Sequence, residues 1–179
     1  MPRFVVLLRG VNVGKANRIP MEEFRRLLQD LEFSQVSTLL NSGNAVFSCA
    51  GRSPGEHARA IEAALHEGPG LSVQVVVKSS SEFDAAVAGN PILPPSEDHS
   101  QFLVAFTQEP QALEKLVVLA SLVQPPERFV VGAHAAYLHC AGGILQSKTA
   151  NALLGRAGLG VTTRNWATVL KLRQLLHER

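Results

Sequence analysis

The chain has 179 residues, of which 46% are hydrophobic, a composition typical of a globular protein with a substantial core. Its formal net charge of +2 is too small to indicate DNA binding by itself, and no apolar stretch reaches the roughly 20 residues of a membrane span. The two cysteines lack metal-ligand spacing and suit a reducing compartment, so we expect a soluble cytoplasmic protein that needs neither a disulfide nor a metal.

The first half of the chain predicts alternating strands and helices. An apolar strand at Phe4–Leu8 precedes a helix at Met21–Leu31, in which large apolar residues recur at helical spacing. The strands Val36–Leu40 and Ala45–Cys49 form a hairpin, because the turn at 41–44 contains residues that tolerate a positive φ. Three elements complete this half: a helix at Glu56–Glu67, a strand at Val73–Val77, and a helix at Glu82–Ala88 with a capping box at Ser81 and Asp84.

The second half repeats this order of elements. Residues 45–51 and 136–142 match at four of seven positions, at an offset of 91 residues. The proline-rich segment 90–95 separates the halves. The predicted elements are a strand at Phe102–Phe106, a helix that begins at Pro110 and carries Leu113, Leu116, Val117 and Ala120, a hairpin of Phe129–Val131 and Ala136–Cys140, a helix at Lys148–Leu154, a strand at Leu159–Thr163 and a helix at Trp166–His177.

Each half therefore has the order β-α-β-β-α-β, followed by one more helix. This is the order of a ferredoxin-like unit. We predict an α+β fold of two tandem ferredoxin-like units with antiparallel sheets and appended helices. The first unit comprises residues 1–90 and the second comprises residues 91–179.

The loop after the first strand is a candidate functional site. It spans residues 9–20, whereas its counterpart in the second half spans only about 107–110, and long loops in compact domains are often functional. In a ferredoxin-like unit this loop and the hairpin turn lie at the same end of the sheet. The candidate ligand-binding residues at this end are Arg9, Asn12, Gly14, Lys15, Arg18, Asn41, Ser42 and Asn44.

The same loop differs from a nucleotide-binding P-loop. Three residues separate Gly10 from Gly14, where the P-loop motif has four between its glycines. Ala16 follows Lys15, where the motif requires Ser or Thr for magnesium. The loop nevertheless has glycines that permit close backbone approach and cations that attract an anion.

Several segments resemble a known family. Leu7–Gly14, Ile19–Met21 and Asn41–Phe47 are similar to the N-terminal signature of the bacterial family called domain of unknown function 1697. Ser147–Lys148 and Thr163–Leu172 are similar to its C-terminal signature. The resemblance covers essentially the whole chain and implies a paired ferredoxin-like arrangement, but no activity. The chain departs from the family's usual residues at Ala16 and Leu40.

The basic residues are concentrated at the two ends of the chain. Residues 3–18 carry four basic residues and 129–177 carry five, both without an acid, while 19–128 carry seven basic and fourteen acidic residues. We expect folding to bring the two ends together as one surface that attracts anions. This adds Lys148, Arg164 and Asn165 to the candidate ligand-binding residues, with Asn165 also the predicted N-cap of the last helix.

Three functions are compatible with this pattern. The first is a binding protein for a phosphate-bearing ligand, either nucleic acid or nucleotide. The second is an enzyme that acts on a small anionic substrate in a cleft between the two units. The third is a homo-oligomeric scaffold in which the acidic middle of one chain meets the basic ends of another. No residue pattern indicates a reaction, and we expect no cofactor and no membrane partner.

Overall fold

A computed structural model describes all residues from Met1 to Arg179. It contains two four-stranded antiparallel sheets, one in each half of the chain. The elements of the first half are β1 (Arg3–Leu8), α1 (Met21–Asp30), β2 (Ser34–Leu39), β3 (Asn44–Ser48), α2 (Pro54–Glu67), β4 (Val75–Ser79) and α3 (Ser80–Ala88).

The second half has the same element types in the same order. Short 3₁₀ segments lie at His99–Gln101, Lys115–Leu122 and Arg156–Gly158. The regular elements are β5 (Phe102–Thr107), α4 (Pro110–Glu114), β6 (Arg128–Val131), β7 (Ala136–His139), α5 (Lys148–Leu154), β8 (Val161–Asn165) and α6 (Trp166–His177).

The strand order confirms the predicted fold. The first sheet has the order β2-β3-β1-β4 and the second has β6-β7-β5-β8, so each repeat places its first strand between its third and fourth. All the pairings are antiparallel. This is the ferredoxin-like arrangement that the order of elements predicts.

The first sheet packs its helix-facing side chains against α1 and α2. Because side chains alternate along a strand, Phe4, Val6 and Leu8 of β1 enter this core together. Phe24 and Leu28 of α1 complete it from the helix side. The strand residues of opposite parity, such as Val5 and Leu7, are fully buried as well.

The helix of the second repeat that follows β5 differs from the prediction. It begins as α4 but continues as a 3₁₀ helix from Lys115 to Leu122. A 3₁₀ helix repeats every three residues, so the buried positions are Leu113, Leu116 and Leu119. Val117 and Ala120, which the predicted helix also carries, are exposed.

The chain divides into two compact units, Met1–Phe83 with Leu172–Arg179 and Asp84–Lys171. This division falls within α3 and α6, the helices appended to each repeat. The boundary between the predicted units lies after Asn90. Within the second unit, the hydroxyl of Tyr137 donates to the main-chain carbonyl oxygen of Ala86. No helix combines the length and hydrophobicity that a bilayer span requires.

Candidate functional site

The long loop after β1 is held in place by the side chain of Asn12. Its Nδ2 donates to the carbonyl oxygens of Ile19 and Asn41, at 2.8 Å each, and its Oδ1 accepts from the amide of Ile19 at 2.8 Å. One side chain therefore closes the loop on itself and attaches it to the hairpin turn. The structure uses the Asn12 amide internally, so we do not assign it to a ligand.

Apolar anchors and unusual backbone conformations fix the same loop. Val11 and Ile19 are buried at its two ends, while residues 13–18 are exposed. Gly10 and Gly14 have φ of 68° and 66°, in the left-handed region that glycine adopts without strain. A Cβ at either position would meet no atom within 4 Å. These glycines therefore permit the backbone conformation of the loop, and the space next to them is open.

The hairpin turn packs closely against β1. Gly43 has a φ of 82°, and a Cβ there would lie 2.6 Å from the Cβ of Leu8. Next to it, Asn44 is buried and its Nδ2 donates to the carbonyl oxygen of Leu39 at 3.1 Å and to the Ser42 hydroxyl at 2.9 Å. Ser42 and Asn44 thus shape the turn, and we do not assign them to a ligand either. The Asn41 side chain is exposed.

The loop that carries these cations contains no acidic residue. Lys15 and Arg18 are exposed, and Arg18 donates to the carbonyl oxygen of Gly14 at 3.1 Å. Arg9 is half-buried, and this burial lowers the pKa of its guanidinium. Residues 9–20 contain no acid, and Glu22 forms ion pairs with two arginines of its own helix. We call residues 9–18 the cationic loop.

A cavity of about 490 Å³ lies next to the cationic loop. Its walls come from α2 and from the segment before β4, and they include Arg59, Glu62, His66 and Ser72. Glu62 accepts a hydrogen bond from the amide of Val75 at 3.1 Å. The Nδ1 of His66 lies 3.2 Å from the Ser72 hydroxyl. Gln74 also lines this cavity, and its carbonyl oxygen accepts from the amide of Arg9 at 3.0 Å. The sequence does not predict this cavity, because the residues of its two walls form no recognisable motif.

The second unit uses two of its three candidate residues to build local structure. Arg164 of β8 is only 8% exposed and donates to the Thr162 hydroxyl and the Thr163 carbonyl oxygen, at 2.8 Å each. Burial lowers the pKa of Arg164 to about 10. The Oδ1 of Asn165 accepts from the amide of Thr168 at 2.9 Å, which confirms the predicted helix cap.

Lys148 is the exposed member of these three. It is the first residue of α5, and the hydroxyl of Ser147 caps the same helix by accepting from the amide of Ala150 at 3.0 Å. Trp166 begins α6 and packs against Phe102, with ring centroids 5.3 Å apart. Asn165 pairs with Leu103 at the end of the second sheet where β5 begins. A site shared by both ends of the chain stays a prediction.

The aromatic residues of the central strands β3 and β7 are not available for stacking nucleic-acid bases. Phe47 of β3 is fully buried and stacks on Phe33, with ring centroids 4.2 Å apart. Tyr137 of β7 is 1% exposed, and burial raises the pKa of its hydroxyl to about 12. These two aromatic strand residues therefore offer no stacking surface for bases.

Comparisons with known proteins agree with this fold. The family model described as a protein of unknown function, DUF1697, matches residues 1–137. The chain belongs to this family. The solved structure of the conserved bacterial protein SP0830 from Streptococcus pneumoniae is similar over 98% of each chain, with a TM-score of 0.81 and 23% identity. At that identity the likeness shows the fold alone. No curated protein matches the chain.

The DUF1697 match includes the whole cationic loop and the hairpin turn that Asn12 attaches to it. It ends before Lys148, Arg164 and Asn165, so the resemblance of the C-terminal segments lies outside the matched residues. The first unit's candidate residues therefore lie within the matched region, and family membership assigns them no activity.

Proposed function

We propose that this protein binds a phosphate-bearing ligand, nucleic acid or nucleotide, through the cationic loop. The observation that carries the proposal is an ordered loop that presents Lys15 and Arg18 to solvent, with no acid among residues 9–20. Cations held in one place without neutralising carboxylates create a local positive potential. Phosphate oxygens are the common ligands of such surfaces.

The proposal makes phosphate, rather than the base, the recognised group. Both faces of the central strands β1 and β3 are buried, as Val5 and Phe47 show, so these strands offer no stacking platform. Contacts to phosphate by lysine and arginine carry little sequence information and depend strongly on salt. The internal hydrogen bonds of Asn12 support the proposal in a second way, because a loop fixed before binding loses less conformational entropy on binding.

A fluorescence anisotropy titration tests the proposal. A labelled single-stranded oligonucleotide is titrated with the protein, and unlabelled nucleotide and inorganic phosphate compete in separate experiments that distinguish the sources of phosphate. With three cations engaged, affinity for the oligonucleotide should fall about 20-fold between about 50 and 200 mM salt. Lys15→Ala combined with Arg18→Ala should lower it about tenfold at the lower salt concentration.

Two further variants separate charge from loop order. Arg128→Ala removes an exposed cation from β6 of the second unit, which is not part of the cationic loop, and should leave the affinity unchanged. Asn12→Ala keeps every cation but removes the hydrogen bonds that close the loop, and it should weaken binding. Undetectable binding to all three ligands, or an equal loss of affinity in Arg128→Ala, would contradict the proposal.

The enzyme alternative, with a small anionic substrate between the two units, stays a prediction. A Ser147–Lys148 pair does not support it, because the buried Ser147 hydroxyl caps α5 while Lys148 is exposed.

A further inference from the structure

Exposed aliphatic side chains are concentrated on the helix layer of the second unit. The chain has ten large hydrophobic residues that are exposed, and neither α1 nor α2 contributes one of them. The 3₁₀ helix Lys115–Leu122 contributes Val117 and Val118, the latter 70% exposed. The end of α5 and the residues after it contribute Leu154 and Leu159, which is 66% exposed. Exposed aliphatic clusters of this kind mark interaction surfaces.

These side chains belong to neighbouring elements. The 3₁₀ helix Lys115–Leu122 contacts α5 and the segment Arg156–Gly158, and a Cβ at Gly160 would lie 3.1 Å from the Cβ of Ala112. Exposed cations accompany them, namely Lys148 at the start of α5 and Arg156 after its end. We define the apolar-basic surface as Val117, Val118, Lys148, Leu154, Arg156 and Leu159.

The first unit has a groove of complementary character. It lies between α1 and α2 and has a volume of about 490 Å³. Leu27 and Leu31 are partly buried in its apolar part. Its rim has three carboxylates and one guanidinium, those of Glu23, Asp30, Glu67 and Arg26. We call it the acidic groove.

We propose that the acidic groove binds the apolar-basic surface of a second copy of this chain. Aliphatic side chains enter the groove between Leu27 and Leu31, and Lys148 and Arg156 meet the carboxylates of Asp30 and Glu67. Charge complementarity selects this occupant, because both exposed surfaces occur on one polypeptide and carry opposite charge. Neither Asp30 nor Glu67 forms an ion pair within its own chain.

This association joins two different surfaces, so it is heterologous. Each molecule that binds through its acidic groove still presents an apolar-basic surface, and the assembly grows into a ring or an open chain. A single groove is small compared with the interfaces of stable dimers, so the association is weak and depends on concentration. The proposal is independent of ligand binding by the cationic loop.

Light scattering with charge-reversed variants tests the proposal. The weight-average mass of the wild-type protein should rise above the 19.3 kDa of one chain as concentration increases, by about 1.5-fold or more near 1 mM. Asp30→Lys with Glu67→Lys should keep the mass at that of one chain. Both positions lie at the C-terminal ends of helices, where a cation is favoured, so these changes should not unfold the protein.

The opposite reversal provides a rescue. Lys148→Glu with Arg156→Glu should also abolish the concentration dependence, and a chain that carries all four changes should regain it, because the charges are again complementary. Glu97→Lys and Arg179→Glu are exposed controls outside both surfaces and should associate as the wild type does.

A strictly monomeric wild type at all concentrations would overturn the proposal. So would a mass that stops at two chains and is unaffected by either reversal, because that behaviour indicates a symmetric dimer through another surface. Failure of the four-fold variant to regain association, while it keeps its native circular dichroism spectrum, would also overturn it.

Discussion

The two repeats share one sheet topology and differ in what surrounds it. Residues 9–20 connect β1 to α1, whereas only Gln108 and Glu109 connect β5 to α4. The first repeat thus presents cations on an ordered loop, and the second presents aliphatic side chains on its helix layer. Strand pairing constrains the sheet, while connections and outer helix surfaces are free to differ. Function is therefore better sought in the differences between the repeats than in their common fold.

The cores of the repeats differ as well. The helix-facing core of the first sheet contains four phenylalanines and surrounds His57 with three of them. The corresponding core of the second sheet is built from leucine, alanine, valine and cysteine, with Phe129 only partly buried beside it. The first core therefore contains an ionisable ring in an apolar environment, which makes its stability sensitive to pH.

The largest losses of stability are expected on substitution of two glycines, one in each unit. A Cβ at Gly158 would lie 1.6 Å from the carbonyl oxygen of Leu153, so Gly158→Ala must displace main chain at the end of α5. We expect a loss of about 4 kcal/mol in the free energy of unfolding. Gly43→Ala combines a positive φ with the contact to Leu8 and should cost about 3 kcal/mol. Urea denaturation measures both losses.

Gly10→Ala is the matched control for these variants. It has a similar positive φ but open space around its Cβ, so only the backbone strain of about 1 kcal/mol remains. Hydrogen exchange should show the loss of protection in the second sheet for Gly158→Ala and in the first sheet for Gly43→Ala. Equal losses for Gly43→Ala and Gly10→Ala would show that the hairpin turn does not pack as described.

His57 gives a smaller effect that is confined to the first repeat. The residue is fully buried, neither ring nitrogen has a hydrogen-bond partner, and its ring centroid lies 4.6 Å from that of Phe4. Burial lowers the pKa of His57, with a further contribution from Arg52, while Glu56 acts in the opposite direction. Burying two unpaired polar atoms costs free energy, so His57→Leu should raise the free energy of unfolding at pH 7 by about 1–2 kcal/mol.

The sign of the pH dependence follows from the lowered pKa. The unfolded chain takes up a proton at His57 near its ordinary pKa of 6.5, before the folded chain does. Wild-type stability should therefore fall as the pH drops below 6.5, and His57→Leu should weaken this dependence. Urea denaturation between about pH 8 and pH 5, a range that includes the ordinary histidine pKa of about 6.5, measures this dependence. His66→Leu is the control at an exposed histidine. Identical slopes for wild type and His57→Leu would show that His57 does not respond to pH in this range.

The order of elements was sufficient to predict the sheets, because a β-α-β-β-α-β sequence with short connections has few allowed topologies. Side-chain placement at the ends of elements was harder. The predicted capping box at Ser81 and Asp84 is wrong, since the amide of Ser79 donates to Glu82 at 2.8 Å and the Ser79 hydroxyl accepts from the amide of Glu82 at 3.2 Å. The helix starts two residues earlier than predicted, so the same motif type occurs at a different position.

The candidate site was predictable only in part. The common end of the sheet for the cationic loop and the hairpin turn follows from topology, and the structure places them together. Arg164 was expected beside an exposed helix start because the predicted strand ended at Thr163. The strand continues to Asn165 and puts Arg164 on the same sheet face as Thr162. A one-dimensional pattern does not show that this face is buried.

The two cysteines occupy equivalent positions of the repeats and should differ in reactivity. Cys49 is half-buried, whereas Cys140 lies in the core of the second sheet. Burial raises the pKa of the Cys140 thiol to about 11, against a smaller opposite effect of its hydrogen bond to Ser147. Because the thiolate is the reactive form, a disulfide reagent at pH 8, near the ordinary thiol pKa of about 8.5, should label one cysteine in the native protein and two after denaturation. Cys49→Ser should leave no rapidly labelled thiol, and a fast reaction in that variant would mean that the second core opens more readily than its packing indicates.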